Sequence, residues 1–410
     1  MAPSQAIFVR SFQFFQLARL CGILGAEIEA LVMGWQVYAL THDPLHLGFV
    51  GLAQFLPSMI FFMLSGHLAD RFNRRNIVLT TLIGRVFCTF LFFTFIYFKL
   101  TLLWPIYTIL VTIGLLRAFG GPAWQSLMPD LVEKEQVQNA ITWSSTVFQC
   151  STIVGPAIGG LLYGVAENGV VAYACTVFLF ILATLLLTQV KPKKQHITKP
   201  LHSDQHLWAG LKYVWQHPII FGTLSLDLFA VLLGGAVALL PIYAREILHI
   251  GPMGLGLLRS APALGALCMA LIIAKRPIAR AGRTMFLGVS VFGLAVIVFS
   301  LSRWPWLSLL ALFISGGADE LSVVIRSTLV QIKTPAHMRG RVSAVNLLFV
   351  GASNEFGQFE SGLTAKWFGP VRAALYGGIG TLCVVALWAF KFKALRQARF
   401  DKTSHLEDGD

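Results

Sequence analysis

Charge is what this sequence has least of. Of its 410 residues only 12% are Asp, Glu, Lys or Arg, while 56% are hydrophobic. A soluble domain carries roughly 25% charged residues. With a mean hydropathy of +0.71, the chain lacks the polar surface that a water-soluble globule of this size needs, so the balance must face lipid. Acids are scarcer than bases, 19 against 32, which leaves a net charge of +13. The basic residues come in short clusters between long apolar runs. A bilayer explains that distribution and nucleic acid does not.

Catalytic and metal-binding patterns are also missing. The sequence holds no HExxH, no GxSxG and no cysteine–histidine pair, which argues against an enzyme. Its six cysteines, Cys21, Cys88, Cys150, Cys175, Cys268 and Cys383, all lie in apolar segments and form no CxxC. They read as small apolar packing residues; no disulfide framework, metal site or cofactor is expected. The apolar run that begins after Ser11 and continues past Leu40 is too long for a signal-peptide core and reads as a retained first helix.

Long apolar runs are abundant. About 20 residues of helix cross a hydrocarbon core of about 30 Å. Twelve segments qualify, near 12–40, 45–69, 76–98, 102–124, 139–164, 168–190, 218–244, 253–275, 284–302, 305–327, 342–367 and 370–392. Helices are required because lipid offers backbone groups no hydrogen-bond partner. The expected fold is an all-α membrane protein of twelve transmembrane helices in two pseudo-symmetric bundles. The expected domains are 1–190, a linker at 191–217, 218–392 and a tail at 393–410. The linker turns amphipathic at LWAGLKYVW (207–215), which suits a membrane surface. Trp104-Pro105 and Trp304-Pro305 open corresponding spans of the two halves, as duplication predicts. With the N-terminus in the cytoplasm, 22 Lys and Arg fall inside, 5 outside and 5 in the spans. That asymmetry predicts both termini inside.

Three motifs carry a resemblance. GHLADRFNRR (66–75) resembles the signature loop of the major facilitator superfamily, matching at Gly66, Leu68, Ala69, Asp70, Arg71, Arg74 and Arg75. Asn73 replaces the usual second glycine, and asparagine tolerates left-handed backbone. The resemblance implies a cytoplasmic latch, in which Gly66 permits close helix approach and Asp70 pairs with a nearby arginine. STIVGPAIGG (151–160) resembles the superfamily's antiporter motif at Gly155, Pro156, Gly159 and Gly160, with Ser151 in place of a glycine. Small residues on a helix bent by proline allow tight packing. Members with this motif mostly export by exchange. Arg117, followed by Gly121, resembles an arginine motif that assists proton movement, with Gly120 in place of its polar residue. The stretches 224–244, 338–346 and 353–362 are similar to the branch of drug and siderophore exporters that includes enterobactin exporters and macrolide efflux pumps.

Seven acids lie within spans: Glu27, Glu29, Asp227, Asp319, Glu320, Glu355 and Glu360. Each would cost roughly 2.5–3.5 kcal/mol at a helix centre facing lipid. They must face the protein interior or water, or be protonated. By the resemblance, spans 1, 4, 7 and 10 line a central cavity. This makes Glu27, Glu29, Arg117, Asp227, Asp319, Glu320 and, on span 11, Glu355 candidates for proton coupling or for lining the cavity. Glu27 and Glu29 point about 200° apart, so only one can face the cavity squarely. Arg326 is a candidate partner for Asp319 or Glu320.

The sequence thus predicts a secondary transporter of the bacterial inner membrane. It would export small amphipathic, drug-like or siderophore-like molecules by proton antiport, in the bilayer and as a monomer. The alternatives are a dedicated siderophore, metabolite or lysophospholipid carrier, or a non-transporting receptor or scaffold. The substrate itself is not legible.

Overall fold

The computed structural model describes residues 6–61, 64–65, 68, 71–192, 203–276, 278–335 and 338–400. Its long helices are α1 (Arg10–Thr41), α2 (Pro44–Ile60), α3 (Arg74–Tyr97), α4 (Leu103–Leu127), α5 (Val137–Ala166) and α6 (Val170–Thr188). The amphipathic stretch of the linker is helical as α7 (Ser203–Gln216). There follow α8 (Pro218–Gly234), α9 (Gly251–Lys275), α10 (Ala281–Leu301), α11 (Pro305–Lys333), α12 (Arg339–Phe368) and α13 (Pro370–Lys391). Among the described residues no strand forms.

Local chemistry sets the helix ends. Asp43 caps α2 by accepting from the Leu45 N–H at 3.0 Å, with Pro44 in the first turn, where a missing N–H costs nothing. Pro218, Pro305 and Pro370 start α8, α11 and α13 in the same way. Asn73 is not left-handed. At φ −62° and ψ 111° it is extended and caps α3, its side chain accepting from the Asn76 N–H at 3.4 Å. Capping, rather than a left-handed turn, therefore explains the asparagine.

Nine helical segments of the described residues are long and apolar enough to cross a membrane. Helix α1, α12 and the shorter α2 occupy the remaining expected positions; α1 carries Glu27 and Glu29, and α12 carries Glu355 and Glu360. Helix α6 shows why these are membrane segments. It spans 19 residues, about 28 Å at 1.5 Å per residue, yet only 33% of its apolar stretch is buried within the protein. Large apolar side chains such as Phe178, Leu185, Phe87 and Leu287 stand exposed on the helix surfaces. Water would not tolerate such a surface and lipid does; the protein is an integral membrane protein. Of the six cysteines, Cys150, Cys268 and Cys383 share that exposed surface, while Cys21 and Cys88 are buried.

The chain groups into two compact units, Met1–Ser203 with Leu240–Ser260, and Asp204–Leu239 with Ala261–Asp410. Helix pairing repeats between them. In the first unit α1 packs on α5 and α6, and α3 on α4 and α6. In the second, α8 packs on α12 and α13, and α10 on α11 and α13. The second set is the first set moved along by one half of the chain, the pattern that duplication produces.

The segment expected as one helix from 218 to 244 is broken. Helix α8 ends at Gly234, and short 3₁₀, α and π turns carry the chain to Ile247. Pro241 has no N–H to continue a helix. Backbone groups near the break find side-chain partners: Ser361 donates to the Gly235 carbonyl at 3.0 Å, and Thr381 to that of Ala230 at 3.2 Å. Such substitution is what makes a broken helix tolerable in a membrane.

Glycines on α5 permit close helix approaches in the first unit. A Cβ at Gly155 would lie 2.6 Å from Glu27 Cβ on α1, and one at Gly159 would lie 3.2 Å from Ile28 Cα. On another side of α5, a Cβ at Gly160 would sit 2.6 Å from the Pro252 carbonyl oxygen and 3.0 Å from Gly256 Cα, in the part of α9 that belongs to this unit. At Gly164 the obstacle is the Met253 side chain, which can rotate away. Gly160→Leu is therefore expected to lower stability by about 1–3 kcal/mol, the cost of overpacking, and Gly164→Leu by clearly less. Thermal unfolding in detergent checks this, and equal shifts would contradict it.

Candidate functional site

The second unit carries a buried polar cluster between α8 and α11. Asp227 lies in the middle of α8 and is 4% exposed. On α11, Asp319, Ser322 and Arg326 follow at i, i+3 and i+7, which places them on one helix face. Arg326, 5% exposed, donates from Nη1 to Asp227 Oδ2, and Ser322 Oγ donates to Oδ1 at 3.2 Å. Both carboxylate oxygens are thus engaged. Asp319 and Asp227 line the same narrow crevice, closed in by Ala230, Val289, Phe292 and Ser322. Among the described residues, Arg326 Nε finds no acceptor. The expectation that Arg326 pairs with Asp319 or Glu320 is corrected: its partner is Asp227, because α8 brings that carboxylate opposite the guanidinium.

The first unit has its own buried pair. Glu29, 5% exposed, accepts from Thr89 Oγ1 at 2.5 Å and faces Arg85 Nη1 at 3.4 Å. The guanidinium of Arg85 lies 4.7 Å from the Phe180 ring centroid, a cation–π contact. Glu29 is thus satisfied among α1, α3 and α6. Glu27 meets α5 at Gly155 instead, so the two acids diverge as their spacing requires.

The remaining candidates are more scattered. Arg117 is exposed on α4. Glu320 is half-buried on α11, and Glu355 on α12 accepts from Gln358 Nε2 at 3.2 Å. Glu360 accepts from Thr364 Oγ1 at 3.2 Å. In the signature loop, Gly66 and Asp70 lie outside the described residues. Arg71 is exposed. Arg74 forms a 2.8 Å ion pair with Asp130, just past α4, and also donates to the Ser126 carbonyl at 3.2 Å. Arg75 donates to the last carbonyls of α6, Thr188 at 2.6 Å and Leu187 at 3.4 Å, where a cation complements the helix dipole. These two arginines tie the start of α3 to the ends of two neighbours. Pro156 is buried within α5 beside the packed glycines.

Sequence reasoning missed Arg85, Thr89 and Ser322 as partners of buried acids. It also missed a contact in the first unit, where Tyr38 Oη donates to Glu246 Oε1 at 2.5 Å and Arg245 lies 5.8 Å from the Trp35 ring centroid. Five basic residues lie within the expected spans, and Arg85 and Arg326 are two of them. Asking each for an acidic partner on another span is the signal that could have found both pairs.

Removing one member of a buried ion pair leaves the other unpaired, at a cost of about 3–5 kcal/mol. Arg326→Leu is expected to destabilise the protein by about that amount, while the double variant Asp227→Asn with Arg326→Gln recovers most of it. Denaturant unfolding in detergent distinguishes them. A single variant as stable as the double would show that the pair contributes nothing.

A family described as transmembrane secretion effector matches residues 2–407. The enterobactin exporter of Shigella flexneri is 27% identical over 403 residues, covering 95% of this chain and 93% of that protein. An enterobactin exporter of Escherichia coli matches with the same identity and coverage. Among solved structures, a bacterial homologue of the iron transporter ferroportin aligns with a TM-score of 0.71 at 16% identity, over 95% of this chain and 100% of that one. A bacterial homologue of the human lysosomal transporter Spinster aligns with a TM-score of 0.69 at 15% identity, over 96% and 98%. A peptide-bound transporter of the POT family aligns with a TM-score of 0.73 at 11% identity, over 95% and 98%. At those identities the structural likeness is one of fold.

Proposed function

Because the chain belongs to the transmembrane secretion effector family of the major facilitator superfamily, we propose that it exports small amphipathic molecules in exchange for protons. It is a membrane transporter and not an enzyme. The proposal concerns its coupling ion, its substrate and its direction. The observation that carries the coupling is the Asp227–Arg326–Ser322 cluster with Asp319 in the same crevice.

The geometry supports the following mechanism. A carboxylate buried against a guanidinium is stable only while both are charged. A proton arriving at Asp227 removes the attraction and frees Arg326. Asp319, two turns away on the same face of α11, then competes for the guanidinium. Each exchange of partner moves α8 relative to α11 and changes how readily a proton is held. A group that binds a proton in one state and loses it in the other couples protons to the transport cycle. The protein alternates between inward- and outward-open states around a substrate site near the bilayer midplane. Arg117, Glu27, Glu320 and Glu355 are secondary candidates for the same cycle. Glu29, held by Arg85 and Thr89, supports the packing of the first unit. Arg74 and Arg75 brace the cytoplasmic latch, to which Gly66, Asp70 and Arg71 also belong. Gly155, Pro156, Gly159 and Gly160 keep α5 tightly packed, as in exchangers.

Siderophore-like molecules head the substrate classes. Support comes from the 27% identity, over nearly the whole chain, to a protein named for enterobactin export. A broader drug-like range and a dedicated metabolite or lysophospholipid carrier are the rivals. The excess of Lys and Arg on one side supports placement in a bacterial inner membrane with both termini in the cytoplasm. A monomer suffices for this scheme.

Efflux-deficient cells expressing the protein should accumulate less of a catecholate siderophore than cells without it. Equal accumulation across siderophores and amphipathic drugs would remove the export reading. In proteoliposomes, Asp227→Asn or Asp319→Asn is expected to retain substrate exchange at zero gradient yet lose uphill pumping. If both variants pump at the wild-type rate, these acids do not couple transport to protons.

A further inference from the structure

Helix α7 presents two unlike faces. One is docked on the second unit. Val214 is fully buried among Ile220, Leu224, Val330 and Val342, and Tyr213 Oη donates to the Lys333 carbonyl at 3.2 Å. A Cβ at Gly210 would lie 2.7 Å from the Arg341 carbonyl oxygen, so helix backbone meets backbone there. His217 closes this face, stacked on Tyr213 with ring centroids 3.9 Å apart. Trp208, Lys212 and Trp215 lie two residues behind Gly210, Val214 and His217, which puts them about 200° away, on the opposite face. Trp208 is 70% and Trp215 69% exposed, and Lys212 is exposed between them.

We infer that this Trp208–Lys212–Trp215 face is a docking surface for anionic phospholipid headgroups. Three observations converge on lipid. A single residue, His217, separates α7 from the membrane span that begins at Pro218, so the helix lies at the bilayer boundary. Trp215 packs on Phe221 in the first turn of that span, ring centroids 4.9 Å apart, so its indole sits level with the start of the apolar segment. Indoles concentrate at that depth, with an apolar ring in the acyl boundary and an N–H among the headgroups. The third observation is charge. Lys212 stands exposed between the two indoles. A basic side chain at an anionic surface has phosphate within reach. The face has the aromatic and basic makeup of an interfacial helix, and rigid docking of the other face fixes its depth. The inference rests on the membrane segment itself and not on the proposed substrate or coupling ion.

The test uses the full-length protein in liposomes of phosphatidylethanolamine and phosphatidylglycerol. Subtracting the Trp emission of the double variant Trp208→Phe with Trp215→Phe from that of wild type isolates these two of the ten tryptophans. Phenylalanine keeps an apolar ring, and thermal unfolding of the variant checks that the fold is intact. The difference emission is expected to be quenched by phospholipid brominated near the carboxyl end of its chains and not by aqueous iodide. Quenching by iodide alone would mean that the face lies in water, and quenching by neither would mean that protein covers it; both overturn the inference. For the headgroup, brominated phosphatidylglycerol should quench at lower mole fraction than brominated phosphatidylethanolamine, by about five-fold, the equivalent of about 1 kcal/mol for one basic residue at an anionic surface. Lys212→Glu should abolish that preference. A preference absent in wild type, or unchanged by Lys212→Glu, contradicts the anionic assignment.

Discussion

A charge inside a bilayer has no water to turn to, so each ionisable side chain on a span must find its partner in the protein. In the second unit that constraint locks Asp227, Arg326 and Ser322 into a single cluster between α8 and α11. In the first it sets Glu29 against Arg85 and Thr89, across α1 and α3. The same rule governs the backbone. Where α8 breaks at Gly234, hydroxyls of Ser361 and Thr381 reach the carbonyls of Gly235 and Ala230. Structure and the proposed chemistry therefore rest on the same groups: Asp227, put forward for proton coupling in the second unit, also ties α8 to α11.

The two buried pairs differ in what they can do. Glu29 is held by a guanidinium and a hydroxyl, with the guanidinium itself braced by Phe180. That arrangement has one acid and one base and favours a single state. The cluster of the second unit has two acids, Asp227 and Asp319, beside one guanidinium whose Nε lacks an acceptor among the described residues. Two carboxyl groups beside one guanidinium offer the unit two alternative pairings, Arg326 with Asp227 or with Asp319. Two pairings of this kind are what the proposed proton coupling requires.

Much of the fold was legible in the sequence, because apolar length is a strong signal in a membrane protein. Starts and ends of α4, α5, α10 and α13 fall within a few residues of the segments that hydropathy marks. The break after Gly234 was not legible from hydropathy, because glycine and alanine around it are as apolar as a helix needs; Pro241 was the cue. The role of Asn73 was misassigned because a cap and a left-handed turn favour the same residue. At the site, the sequence identified the acids but not their partners. Asp227 and Arg326 are 99 residues apart, and no local spacing rule connects them. Helix periodicity did separate Glu27 from Glu29, since angle along one helix is local information. The exposed face of α7 was visible as an amphipathic pattern, but which face docks depended on tertiary packing.

The central proposal is that Asp227 and Asp319, competing for Arg326, bind a proton in one transport state and release it in the other. Proton release on substrate binding tests it directly, with detergent-solubilised protein in weakly buffered solution containing a pH indicator. Titrating a substrate identified by the efflux screen into wild-type protein should release protons, with an amount that saturates together with binding. The double variant Asp227→Asn with Asp319→Asn should bind the same substrate and release none. Proton release from the double variant equal to that of wild type would contradict the account.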